Sequence, residues 1–179
     1  MRLWDNSASS SAERKYLEQA RVGGVYGLDI SVSPWKHWGL GLLHTQFFAS
    51  ASDSNVTFVD KSQGSARDKY RIFYTAPGIY VMQPVGEKLR LVGNAGAGIF
   101  FYRNEAEKGA FPGVLEGSAL GFHAAGSADV LVVPRFAIGF GARAFYGELD
   151  DFRYNAIKTH TRPLSLSRVD FGVGVRFYP

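Results

Sequence analysis

Cysteine is absent from the 179 residues, which excludes disulfides, zinc-thiolate centres and cysteine nucleophiles. Long apolar runs are absent too. No stretch approaches the ~18 to 20 residues that a spanning helix needs, and a mean hydropathy of -0.08 fits neither a helical membrane protein nor a polar disordered chain. The formal net charge is only +4. Its basic residues do not gather into the single patch of a nucleic-acid footprint, so no nucleic-acid partner is expected. Met1 is followed by the polar stretch Arg2 to Ala12 with no apolar h-region. On this reading a secretory signal has been removed, or the chain begins inside a longer precursor.

What is present is aromatic (15%) and glycine-rich (21 glycines), arranged from Arg21 onward in long period-two alternations. The runs are Val22 to Ser33, Trp38 to Ser52, Lys69 to Gln83, Lys88 to Arg103, Gly117 to Val132, Arg135 to Leu149 and Pro163 to Tyr178. Each is roughly 12 to 16 residues, longer than ordinary globular strands and past the ~9 to 11 that cross a bilayer at a tilt. Short connections (Pro34 to His37, Pro84 to Glu87, Val133 to Pro134) alternate with long ones (Asp53 to Asp68, Asn104 to Glu116, Asp150 to Arg162). This asymmetry belongs to transmembrane barrels, with tight turns at one end and long loops at the other. The odd number of runs implies a further strand before Val22, of which only Met1 to Trp4 remain. The expectation is an all-β, antiparallel up-and-down transmembrane β-barrel of about eight strands, its first strand truncated, with residues 1–20 as the remnant of that strand and its loop and residues 21–179 as the barrel domain.

The two faces of the runs decide between a membrane barrel and a soluble one. Val169, Phe171, Val173, Val175 and Phe177 share one face, against Arg168, Asp170, Gly172, Gly174 and Arg176. Tyr26, Leu28, Ile30 and Val32 oppose Asp29 and its neighbours, Leu91, Ala95 and Ile99 oppose Arg90 and Asn94, Phe122 and Val130 oppose His123 and Asp129, and Phe140 opposes Arg143. Lys15, Lys36, Lys61, Lys69, Lys88, Lys108 and Lys158 all fall in turns, loops or strand ends. A soluble barrel would spread lysine and glutamate along its solvated faces. Gly, Ser, Asn, Asp and Arg instead suit a crowded interior where charges must pair, so Arg90, Arg143, Arg168 and Arg176 are expected to interlock with Asp29, Asp129 and Asp170 around His123. In Trp38 to Ser52 the phase slips near Leu42 and Leu43, and Pro77 interrupts the next run; no face is assigned there, and a bulge is the plain explanation. Trp35, Trp38, Tyr80 and Phe177 are expected to form one interfacial aromatic girdle, and Tyr70, Phe101, Tyr102 and Tyr146 the other.

The segment Asp170-Phe171-Gly172-Val173-Gly174-Val175-Arg176-Phe177 resembles the terminal-strand assembly signal of bacterial outer-membrane barrels, carried by Asp170, Gly172, Val175 and Phe177, although the chain runs on through Tyr178 and Pro179. With residues 33 to 41 and 133 to 143, the chain is similar to the small outer-membrane β-barrel family of OmpA-type and OmpX-type barrels. The resemblance implies the cell outer membrane as location, outer-membrane lipid, lipopolysaccharide and the assembly machinery as partners, and no catalytic chemistry.

His123, Ser127 and Asp129 share a face, but residues four and six apart on a strand lie roughly 13 and 20 Å apart, too far for a nucleophilic triad. A polar ladder is the better reading. His37, His44 and His160 are dispersed, and no grouping has metal-ligand spacing; Gly93, Gly96 and Gly98 sit inside an alternating run, not at a strand-to-helix turn. No cofactor, metal or enzymatic activity is expected. Phe111, Phe152 and Tyr154, aromatics of the long loops, are candidate contacts for an unknown loop-binding partner. The function expected is a structural or adhesive membrane barrel with a plugged lumen; the alternatives are a narrow channel and a soluble lipocalin-like binder of apolar ligands.

Overall fold

The computed structural model describes residues 22–57, 63–108, 111–155 and 157–178. The expectation placed on residues 1–20 lies outside them. The described chain is all β: β1 (Gly24–Val32), β2 (Trp38–Thr57), β3 (Gln63–Val85), β4 (Leu89–Lys108), β5 (Phe111–Val133), β6 (Phe136–Tyr154), β7 (Ile157–Ser165) and β8 (Arg168–Phe177). Each strand is antiparallel to its predecessor from β1 through β7, in a single up-and-down sheet. β8 returns to β6. Residues 148–154 of β6 pair with β7 and residues 136–145 with β8, so β7 and β8 form one lane interrupted at Leu166 and Ser167. The lane stays attached there through Leu166 N–H donating to Gly147 O at 2.8 Å.

The sheet is curled but not closed into a barrel. Among the described residues, β1 has β2 as its only strand partner and β8 has only β6. Because each lane reverses the one before, β1 and β8 run in the same direction, and antiparallel hydrogen bonding cannot join them directly. Among the described residues side chains cross this seam, as in the Arg176 Nη2 to Asp29 Oδ2 contact at 3.7 Å and the hydrogen bond from Arg168 Nη2 to Thr45 Oγ1 at 3.1 Å.

Three expectations are corrected here. The long loops are mostly strand: β2 runs to Thr57 and β3 resumes at Gln63, β4 runs to Lys108 and β5 starts at Phe111, and β6 runs to Tyr154 with β7 starting at Ile157. In these segments Ala51, Ala66, Asp68 and Phe152 are buried while Arg67, Arg103 and Arg153 are exposed, a mixture of small, aromatic and charged residues that composition alone does not distinguish from a loop. At the last of these turns Asn155 adopts φ 47°, and its side-chain Oδ1 accepts from Val114 N–H at 2.9 Å. Asparagine tolerates this left-handed conformation. Second, the phase does not slip at Leu42 and Leu43, since Leu43 is buried and Leu42 exposed in an unbroken alternation; the irregularity falls between Asp53 and Val56. Third, the β3–β4 ladder skips two pairs, at Ala76 and Pro77, without shifting register, because the missing proline N–H removes a bond but not the pleat.

Candidate functional site: a layered interior and an outer apolar belt

The inner face has two storeys. Toward the end carrying the projecting hairpins, Leu43 and Phe47 of β2, Ile72 and Tyr74 of β3, Phe100 of β4, and Phe145 and Leu149 of β6 form a dry cluster that Leu166 joins. Tyr74 stacks tilted on Phe100 at 4.5 Å between ring centroids and edge-on to Phe145 at 5.2 Å. Such contacts add to burial because ring edges and faces carry opposite partial charge. Glycine makes room for these rings: a Cβ on Gly147 would meet the Phe100 ring at 2.6 Å, and one on Gly96 would strike the Pro77 carbonyl oxygen and meet the His123 ring at 2.8 Å.

Below this cluster the interior becomes polar. Asp129 of β5 accepts from Arg176 Nη1 and from the Tyr178 hydroxyl, the latter at 2.6 Å. Arg176 also donates to Ser127 Oγ at 3.3 Å, and Asn94 Nδ2 donates to Asp29 at 3.4 Å. Arg90 lies 4.2 Å over the Tyr178 ring. The residue past the terminal aromatic therefore folds inward and caps the short-turn end, anchored by its N–H to Arg135 O at 2.8 Å. Burial first, and then the hydrogen bond to Asp129, hold the Tyr178 phenol above its ordinary pKa.

Arg168 is deeply enclosed, with a side-chain exposure of 3%. It is ion-paired to Asp170 at 3.1 Å and lies 4.3 Å over Phe145. Reaching from β8 to Thr45 of β2, it links the two sides of the seam. Arg143 stands beside Gly27 of β1, where a Cβ would meet its Nη1 at 3.0 Å.

The expected interior residues thus fall into separate groups. Asp29, Asp129, Arg176 and Arg90 gather at the short-turn end, Arg168 and Asp170 form a second pair, and His123 joins the aromatic storey through Nδ1 to the Tyr74 hydroxyl at 3.1 Å. His123, Ser127 and Asp129 share no hydrogen bond with one another, each being engaged elsewhere. The expectation of a wholly polar interior is corrected: its upper storey is aromatic and aliphatic. Phe152 is likewise corrected from a loop contact to a buried residue, edge-on to Tyr102 at 6.5 Å. Tyr154 is exposed, and Phe111 opens β5. Tyr70, Tyr80 and Tyr102, expected in the girdles, point inward and are buried. An amphipathic ring suits a buried site with a polar neighbour as well as an interface. Of the terminal-strand residues, Val175 and Phe177 are exposed on the outer face, while Asp170 and Gly172 share the inner one.

The outer face carries an apolar belt, interrupted on β2 and β3 by the outward His44, Gln46 and Thr75. Leu28, Ile30, Leu40, Leu42, Ile79, Leu91, Ile99, Phe122, Val130, Ile138, Phe140, Phe171, Val173 and Val175 are all exposed on it, with Phe171 at 78% and Val175 at 77%. On β4 the belt runs from Leu89 to Phe101, about 13 residues and ~40 Å along the strand, which a ~45° tilt reduces to roughly 28 Å, the thickness of a hydrocarbon core. Phe48, Phe101 and Tyr146 stand at its upper edge and Trp35, Trp38, Phe136 and Phe177 at its lower one, all exposed. Beyond the upper edge the outward positions become Arg71, Arg103, Glu116 and Glu148.

Among the described residues no helix is long and apolar enough to cross a membrane, and no three His, Cys, Asp or Glu side chains group as metal ligands. Comparison with protein-family models, with curated proteins and with solved structures finds no match.

Proposed function

We propose that this chain is an integral outer-membrane β-barrel protein whose apolar face meets lipid and whose role is structural or adhesive, exercised through the hairpins that project beyond the belt. One observation carries the reading: an exposed apolar belt of bilayer thickness, edged by aromatics and ending in charge on neighbouring strands. Exposing that much contiguous apolar surface to water would be very unfavourable, since soluble monomers rarely show patches above a few hundred Å². A soluble ligand-binding barrel has the reverse arrangement, with an apolar cavity inside and polar residues outside. Here the dry storey is filled with side chains, which favours a plugged barrel over a conducting one.

Closure of the barrel belongs to the same proposal. Two edges running the same way can be joined by one further strand antiparallel to both, which gives an even number of lanes and removes both free edges. Flotation with lipid vesicles tests the assignment: the refolded full chain is expected to float with the vesicles and to migrate as a compact, heat-modifiable band. A chain that stays in solution without detergent and takes up an apolar dye in its interior would overturn it.

A further inference from the structure

The interruption of the apolar belt on β2 and β3 is a connected polar patch. His44 and Gln46 of β2 stand outward between Leu42 and Phe48, and Thr75 of β3 stands outward between Phe73 and Pro77. His44 lies opposite Thr75 across the β2–β3 ladder, and its Nδ1 is hydrogen-bonded to Thr75 Oγ1 at 2.8 Å. Across the β1–β2 ladder Tyr26 lies opposite Gln46 and its hydroxyl donates to Gln46 Oε1. The donors of Gln46 Nε2 and the Nε2 atom of His44 make no hydrogen bond among the described residues. On β4, by contrast, every outward position from Leu89 to Phe101 is apolar or glycine, and on β5 the same holds from Leu120 to Val130.

Depth decides what can answer these groups. His44 lies six residues above Trp38 at the lower edge of the belt. That is ~20 Å along the strand, or roughly 14 Å across the bilayer at a ~45° tilt, the middle of the hydrocarbon core. Water, lipid phosphates and ester groups all lie toward the edges, and acyl chains neither donate nor accept hydrogen bonds. Polar side chains at that depth are costly against lipid and are kept where protein faces them.

From this arrangement we infer that the outer face of β1–β3 binds a second copy of this chain within the membrane, about a twofold axis along the membrane normal. All copies insert in the same direction, so the patch reaches the same depth on each. Around such an axis each residue near the centre meets its own counterpart. Gln46 is suited to this because a primary amide is its own complement. Nε2 of each copy donates to Oε1 of the other, which has a second lone pair beside the one that Tyr26 occupies. Phe48 and Phe73 flank the contact. The inference rests on the membrane reading above.

The chain has no cysteine, so Lys36→Cys at the short turn takes a single dye, and energy transfer between refolded full chains is read in phosphatidylcholine vesicles. Wild type is expected to show transfer that falls on dilution with lipid, as a monomer–dimer equilibrium requires. Gln46→Leu, which removes both mutual amide bonds at an outward position, should weaken association about tenfold, and Ile138→Leu on β6 should leave it unchanged. A second measurement reads the geometry: Gln46→Cys, in the chain without the dye site, should give a disulfide-linked dimer on oxidation in vesicles, and Phe140→Cys should not. Transfer no greater than random mixing gives, or equal association of wild type and Gln46→Leu, overturns the inference and leaves the membrane assignment intact. Cross-linking through Phe140→Cys but not through Gln46→Cys overturns β1–β3 as the interface. Failure of the chain to float with vesicles defeats the membrane reading itself, and this inference with it.

Discussion

Arg168 shows how much a single enclosed charge depends on its partner. Its guanidinium is packed against Phe145, hydrogen-bonded to Thr45 and neutralised by Asp170, itself 8% exposed. Removing one member of such a pair leaves an uncompensated buried charge. Asp170→Asn is therefore expected to lower the unfolding free energy by roughly 3 to 5 kcal/mol, read by urea titration in detergent micelles; a change under ~1 kcal/mol would mean that water reaches the guanidinium. Two inward glycines make a sharper contrast. Gly96→Ala should destabilise by about 1 to 3 kcal/mol, because the new methyl meets the Pro77 carbonyl and the His123 ring. Gly172→Ala should stay within ~0.5 kcal/mol, since nothing lies within 4 Å of its Cβ position. Equal effects at the two sites would show that the inner wall is not packed as described.

Strand by strand, the legibility of the sequence tracked the chemistry of the inner face. β8, with Val169, Phe171, Val173, Val175 and Phe177 against Arg168, Asp170, Gly172, Gly174 and Arg176, could be sided by reading alone, because one side is apolar and the other charged or glycine. In β2 and β3 the inward set (Leu43, Phe47, Ile72, Tyr74) is as apolar as the outward one, which also carries His44, Gln46, Thr75 and Pro77. Hydropathy then has no period-two signal to show, and only the pleat tells the faces apart. An arginine on a lipid face costs more than one in water, so Val173→Arg should lose about 2 to 4 kcal/mol or fail to insert. Arg67→Gln, on the projecting part of β3, should leave insertion unchanged. The folded fraction on a gel run without boiling reads both, and equal behaviour would argue that the belt is not in lipid.

For the molecule as a whole, the two storeys predict a closed interior. Reconstituted wild type should give no steady single-channel conductance, because the cluster of Leu43, Ile72, Tyr74, Phe100 and Phe145 leaves no continuous wet path. A steady conductance altered by Arg143→Ala would reverse that expectation in favour of a channel. Alternation, strand length and the exile of lysine to strand ends determined the class of fold, all-β and up-and-down, and which residues lie outward on β1, β4, β5, β6 and β8. These are local consequences of a period of two and of which side chains tolerate apolar surroundings, so one strand at a time suffices to read them. Tertiary structure alone decided what curvature brings together: Arg168 reaching Thr45 across the seam, Tyr178 folded under Asp129, Phe152 withdrawn against Tyr102, and Arg71 set opposite Arg103. Each depends on the register and curl of strands far apart in sequence. No single strand carries that information, because pairing and packing are set by all the lanes at once.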